Sequence, residues 1–144
     1  MGFWDVSPFG NDDAADFAGD LDEATAEARI EMVGSVLDRI AIASTTDDLD
    51  LGDAPRAVAA AALIAAQCPG GEPVCSNYGP STPMPQFPGY LRRLAIDALD
   101  RVVTTPSWLA ECWVEASSDS AWRQTINDLR NVLDPPQVET LFDL

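Results

Sequence analysis

The chain has 144 residues, with 24 aspartates and glutamates against 8 arginines, and neither lysine nor histidine, for a formal net charge of −16. Without His or Lys, its own residues cannot build a Ser-His-Asp or Cys-His relay, a Schiff-base lysine or a phosphate-loop lysine, and so acidic a surface repels the nucleic-acid backbone. The length fits one domain, 1–144, able to bury roughly 68–70% of its unfolded surface without metal or disulfide staples.

The opening Met-Gly-Phe-Trp-Asp-Val-Ser has no basic region and no apolar run, so no signal peptide is expected. Val6 stands where a myristoylation pattern wants Ser or Thr. Asn11 is positioned to cap a first helix, with Asp12 and Asp13 in the first turn, where the helix dipole favours negative charge. Ala14, Phe17 and Leu21 give that helix an inner face, and Gly19 keeps it short. In the next helix Ala26, Ile30, Val33, Leu37 and Ile40 step by four and three along one side, predicting a helix from about Thr25 to Ala43.

An acidic connector, Asp47 to Asp53, resembles the start of a calcium loop but lacks the closing bidentate Glu, so Asp53 reads instead as a helix cap ahead of Pro55. The stretch Ala54 to Gln67 is mostly Ala and carries no charge from Ala57 onward. A helix apolar all round is buried, so this one is expected at the centre. The uncharged stretch Ala57 to Gly71 falls short of the roughly 20 residues of a membrane span. Pro69 to Gly89 then holds six of the eleven prolines. That predicts an irregular loop, pinned to the body by Tyr78, Met84 and Phe87 as an ordered lid.

Helical spacing resumes with Leu91, Leu94, Ala95, Ala98 and Val102 on one face and an Arg93, Asp97, Arg101 ladder on another. Ser107 is placed to cap a helix from Trp108 to about Ala116, with Leu109, Cys112 and Trp113 inward. Asp119 is placed to cap the last long helix, with Trp122, Ile126, Leu129 and Leu133 on one side. Asp134-Pro135-Pro136-Gln137 reads as a stop and a new start, with Val138, Leu141 and Phe142 docking a final turn. Trp108, Trp113 and Trp122 are read as core. The fold expected is all-α, a bundle of five to seven helices around the Ala-rich one.

Charge is uneven along the chain. Residues 1–53 carry fourteen carboxylates and two arginines, a net of −12, and the remainder carries −4. Asp12, Asp16 and Asp20 are spaced by four, as are Glu23, Glu27 and Glu31. Like charges at that spacing cost a few tenths of a kcal/mol per contact, roughly what opposite charges contribute. A cationic partner, bound cations or the solubility of a highly charged surface would each offset the cost. Trp4 and Phe9, before the first helix, either seal the bundle or form an aromatic binding edge. Paired carboxylates such as Asp20-x-x-Glu23 and Asp97-x-x-Asp100 also suit Mg²⁺ or Mn²⁺ hydrolysis. No basic cluster beside them receives a phosphate.

The run Gly2, Trp4, Pro8, Phe9, Asn11, Asp12, Ala14, Asp16 and Phe17 follows the pattern Gly-x-Trp-x-x-x-Pro-Phe-x-Asn-Asp-x-Ala-x-Asp-Phe. With the Ala-rich helix and the Trp122 to Arg130 segment, it resembles a bacterial family of small acidic proteins catalogued only as a domain of unknown function. The resemblance implies a stand-alone, mostly helical domain and brings no catalytic residues. The expectation is a cytoplasmic, non-enzymatic protein with reduced thiols, no cofactor and no metal site. Its acidic face, Asp12, Asp13, Asp16, Asp20, Glu23, Glu27 and Glu31, is expected to meet a basic protein partner. An immunity protein against a cationic toxin is the concrete form, and a metal-dependent hydrolase using Asp12, Asp16, Asp20 and Glu23 is the alternative.

Overall fold

Six helices make up the described part of the molecule, and no strand occurs there. The computed structural model describes residues 7–43, 53–71, 79–104, 108–115 and 117–134.

Helix α1 (Asp12–Asp22) starts where the sequence predicts. Asn11 is extended (φ −156°, ψ 161°), and its side-chain oxygen accepts the Ala14 N–H at 2.8 Å, satisfying one donor left open at the helix start. Ala14, Phe17, Ala18 and Leu21 are buried, one side of the helix. Helix α2 (Ala26–Ala41) is capped likewise, Thr25 Oγ1 accepting the Ala28 N–H at 3.1 Å. Its buried stripe is Val33, Val36, Leu37 and Ile40. The predicted inner residues Ala26 and Ile30 are exposed and half-buried. Ile30 packs against the edge of the core, while Ala26 lies in the first turn and stays in solvent.

Helix α3 (Asp53–Ala65) buries every residue except Arg56 and packs against α1, α2, α4 and α6. It is the central helix, as its lack of charge predicts. Asp53 is its first residue rather than a cap, and its buried carboxylate turns to Arg39 (3.1 Å) and Arg56 (3.7 Å). Past Ala65 the chain turns sharply. Gly70 lies in the left-handed region (φ +85°), and a Cβ on Gly71 would stand 1.9 Å from the Ala65 carbonyl oxygen.

Helix α4 (Tyr90–Val103) buries Leu91, Ala95, Ile96, Ala98, Leu99 and Val102 and packs chiefly on α2 and α3. A Cβ added at Gly34 would lie only 3.3 Å from Leu91 Cδ2, so glycine lets α2 and α4 approach closely. Helix α5 (Trp108–Glu115) turns Leu109, Cys112 and Trp113 inward, and α6 (Asp119–Leu133) buries Trp122, Ile126 and Leu133, with Leu129 packed against the core. Ser118 occupies the N-cap position of α6 and Asp119 its first turn, so the helix begins one residue earlier than the sequence suggests. Wholly buried Leu37, Ile40, Leu91 and Leu99 each contribute about 1.5–3 kcal/mol of transfer free energy.

The Pro-rich segment follows the body closely over residues 79–89. Phe87 is buried and Met84 packs against the core. Tyr78, the connector 47–51, Ser107 and the final turn after Asp134 lie outside the described residues, as does the side chain of Trp108. No helix among the described residues is long and apolar enough to cross a membrane.

Candidate functional site

The eight arginines explain what kind of surface is left. Four of them reach carbonyls at or just beyond helix C-termini, where oxygens lack partners and the dipole is negative. Arg29 donates to Leu21 (2.7 Å) and Asp22 (3.4 Å) at the end of α1. Arg101 donates to Ala43 (2.9 Å), beyond α2, and to Thr104 at the C-cap of its own helix. Arg123 donates to Val103 (3.2 Å), the last residue of α4, and stacks over the Trp122 ring. Arg92 donates to Leu133, the last residue of α6.

The other four meet carboxylates. Arg39 and Arg56 share Asp53, and Arg56 also lies 3.6 Å from Asp13. Arg93 pairs with Asp97 (3.3 Å), and Arg130 with Asp100 (2.6 Å) and Asp134 (3.5 Å). The Arg93, Asp97, Arg101 ladder is therefore half built, because Arg101 reaches instead for the carbonyl of Ala43.

Every guanidinium thus has an intramolecular partner. Among the described residues the carboxylates of Asp12, Asp16, Asp20, Glu23, Glu27 and Glu31 are exposed and take part in no ion pair. Asp12, Asp16 and Asp20 lie one turn apart on the side of α1 away from Ala14, Phe17 and Leu21. Glu23 is the C-cap of α1, and Glu27 and Glu31 follow on the outer side of α2. Asp13 departs from this set, half-buried and facing Arg56 across to α3.

Beside this face lies a contact that the sequence does not announce. Both oxygens of Asp22 accept the Ser81 N–H at 2.9 Å, and one also accepts the Thr82 N–H (3.0 Å) and hydroxyl (2.7 Å). These donors, the Ser81 N–H first, hold the Asp22 carboxyl below its usual range. Further along, the side-chain amide of Gln67 donates to the Pro85 carbonyl (2.8 Å) and accepts the Phe87 N–H (3.0 Å), and Arg29 donates to the Pro83 carbonyl (3.0 Å). Asp22 and Ser81 are 59 residues apart, and no local spacing links them.

Of the two aromatic residues before α1, Phe9 seals the bundle. It is 1% exposed, so it forms no binding edge, and burying the ring is the more favourable use of its area. Trp4 lies outside the described residues. A small indentation between α1, α3, α5 and α6 is lined by Pro8, Asn11, Pro55, Trp113 and Trp122 and is too shallow to enclose a ligand. Among the described residues no three carboxylate or thiol side chains converge where they would hold a metal ion. Cys68 is a free thiol within 3.5 Å of the Ile64 carbonyl, and Cys75 lies outside the described residues. Burial, followed by the nearby Glu115 and Glu111, pushes the Cys112 thiol up and keeps it protonated near neutrality.

No curated protein and no solved structure matches the chain. One family model does, over residues 2–125, a span that includes the opening run, α1 to α5, the Pro-rich segment and the start of α6. The chain therefore belongs to the family described as a domain of unknown function, DUF4259.

Proposed function

We propose that this protein is a non-enzymatic acidic binding protein that engages a basic protein partner through the outer sides of α1 and α2. The observation that carries this reading is the disposition of charge. All eight arginines are engaged within the fold, while six carboxylates on α1, its C-cap and α2 are exposed without an ion pair among the described residues. A cationic protein surface approaching such a face is accelerated by the field and gains ion pairs whose carboxylates already lack competitors. Neutralisation of a cationic toxin, as an immunity protein does, is the form of this activity that needs no catalytic residue. The run Gly2 to Phe17 is read as the hallmark of a bacterial family, and the free thiols of Cys68 and Cys112 suit a reducing cytoplasm.

The test is recovery of partners from the native host at low and high salt, with the wild-type chain and a chain carrying Asp12→Asn, Asp16→Asn, Asp20→Asn and Glu27→Gln. A basic protein retained at low salt, released at high salt and lost with the neutralised chain supports the reading. Recovery of no basic protein at low salt, or retention indifferent to salt and to the four substitutions, overturns it.

A further inference from the structure

Residues 79–88 make their polar contacts with the helical body and not with themselves. Prolines 80, 83, 85 and 88 have no N–H, and among the described residues no backbone hydrogen bond joins two residues of this segment. Three body side chains hold it instead. Asp22, the last residue of α1, takes the Ser81 and Thr82 donors, Arg29 of α2 takes the Pro83 carbonyl, and Gln67, just past α3, pairs with both Pro85 and Phe87.

We propose that residues 79–88 form a strap that opens and closes as one unit on an intact helical body, its Asp22 and Gln67 clasps releasing together. Four fixed-φ prolines stiffen the segment, so displacement at Ser81 is carried to Phe87 six residues on rather than absorbed between them. The body keeps its own bonds when the strap leaves, for Arg29 still holds the Leu21 and Asp22 carbonyls at the end of α1. Opening costs the burial of the Phe87 ring, the partial burial of Met84 and a handful of hydrogen bonds, the scale of a local rather than a global unfolding. It strips the Asp22 carboxylate, already at the surface next to Asp20 and Glu23, of its Ser81 and Thr82 donors and frees the Gln67 amide of its strap partners. The strap thereby sets how much unpaired charge and how much apolar area the corner between α1 and α3 presents.

Amide hydrogen exchange on the full chain, read residue by residue, tests this. In Asp22→Ala, the Ser81 and Thr82 amides are expected to exchange faster by about tenfold or more, the Phe87 amide to accelerate by the same factor, and Leu99 and Val102 in α4 to stay unchanged. Gln67→Ala is expected to show the reciprocal effect on Ser81. Acceleration confined to the amides nearest each substitution, acceleration spread equally into α4, or no acceleration at all overturns the proposal. Thr82→Val removes a single hydroxyl donor and spares the carboxylate, so it keeps the test open if Asp22→Ala does not fold. There too, Phe87 must accelerate together with Ser81.

Discussion

Helix α3 buries twelve of its thirteen residues, whereas α1 buries four of eleven and turns Asp12, Asp16 and Asp20 to water. The two helices touch, and Arg56 of α3 reaches Asp13 of α1, yet they are held by different physics. Helix α3 is placed by exclusion: it offers almost nothing to solvate, and its alanines let four neighbouring helices come close. Helix α1 is placed by a cap and one apolar stripe, with its outer side free of any structural duty. The contrast teaches where sequence change is tolerated. Size is constrained in α3, whereas on α1 charge serves the fold at Asp13 and Asp22 but not at Asp12, Asp16 and Asp20.

The sharpest way to break this comparison is to enlarge α3. Ala60 is wholly buried, and Ala60→Leu is expected to destabilise the protein by about 1–3 kcal/mol in urea denaturation, since added methylenes in a full core force its neighbours apart. An unchanged midpoint would deny α3 its central place. Next in size is the cap. Asn11→Ala removes the oxygen that accepts the Ala14 N–H and is expected to cost about 1 kcal/mol by the same measurement. The smallest effect has the opposite sign. Asp16→Gln relieves like-charge contacts with Asp12 and Asp20, and should raise stability by a few tenths of a kcal/mol at low ionic strength. That gain should fade as added salt screens the stripe. A loss of stability in Asp16→Gln would reveal a structural role for the acidic face and separate it from the surface proposed for binding.

Features carried by local chemistry are legible in the sequence. The Asn11 cap, the Val33–Leu37–Ile40 stripe and the central Ala-rich helix all follow from spacing and propensity over a few residues. The acidic outer face of α1 was legible for the same reason, and Asp13 left it because a residue from α3, not from its own helix, claimed it. What escaped has one cause. Backbone carbonyls and N–H groups are the same at every residue, so a side chain that seeks them leaves no pattern to read. Arg101 looked like the third rung of a ladder and instead bonds the carbonyl of Ala43, 58 residues away in sequence. Asp22, which no spacing in the sequence singles out, holds the strap through two backbone amides and a hydroxyl.

The chain has eight arginines and no lysine, and the four arginines at helix ends make contacts that suit a guanidinium better than an ammonium. Arg29 bonds three separate carbonyls, from Leu21, Asp22 and Pro83, with three different nitrogens of one planar group. An ammonium concentrates its donors at one point and is more strongly hydrated, so it would brace such a junction poorly. Replacing Arg29 with lysine would keep the net charge and lose the tie between two helices and the strap. For this molecule the choice between the two cations is a matter of carpentry before it is one of electrostatics.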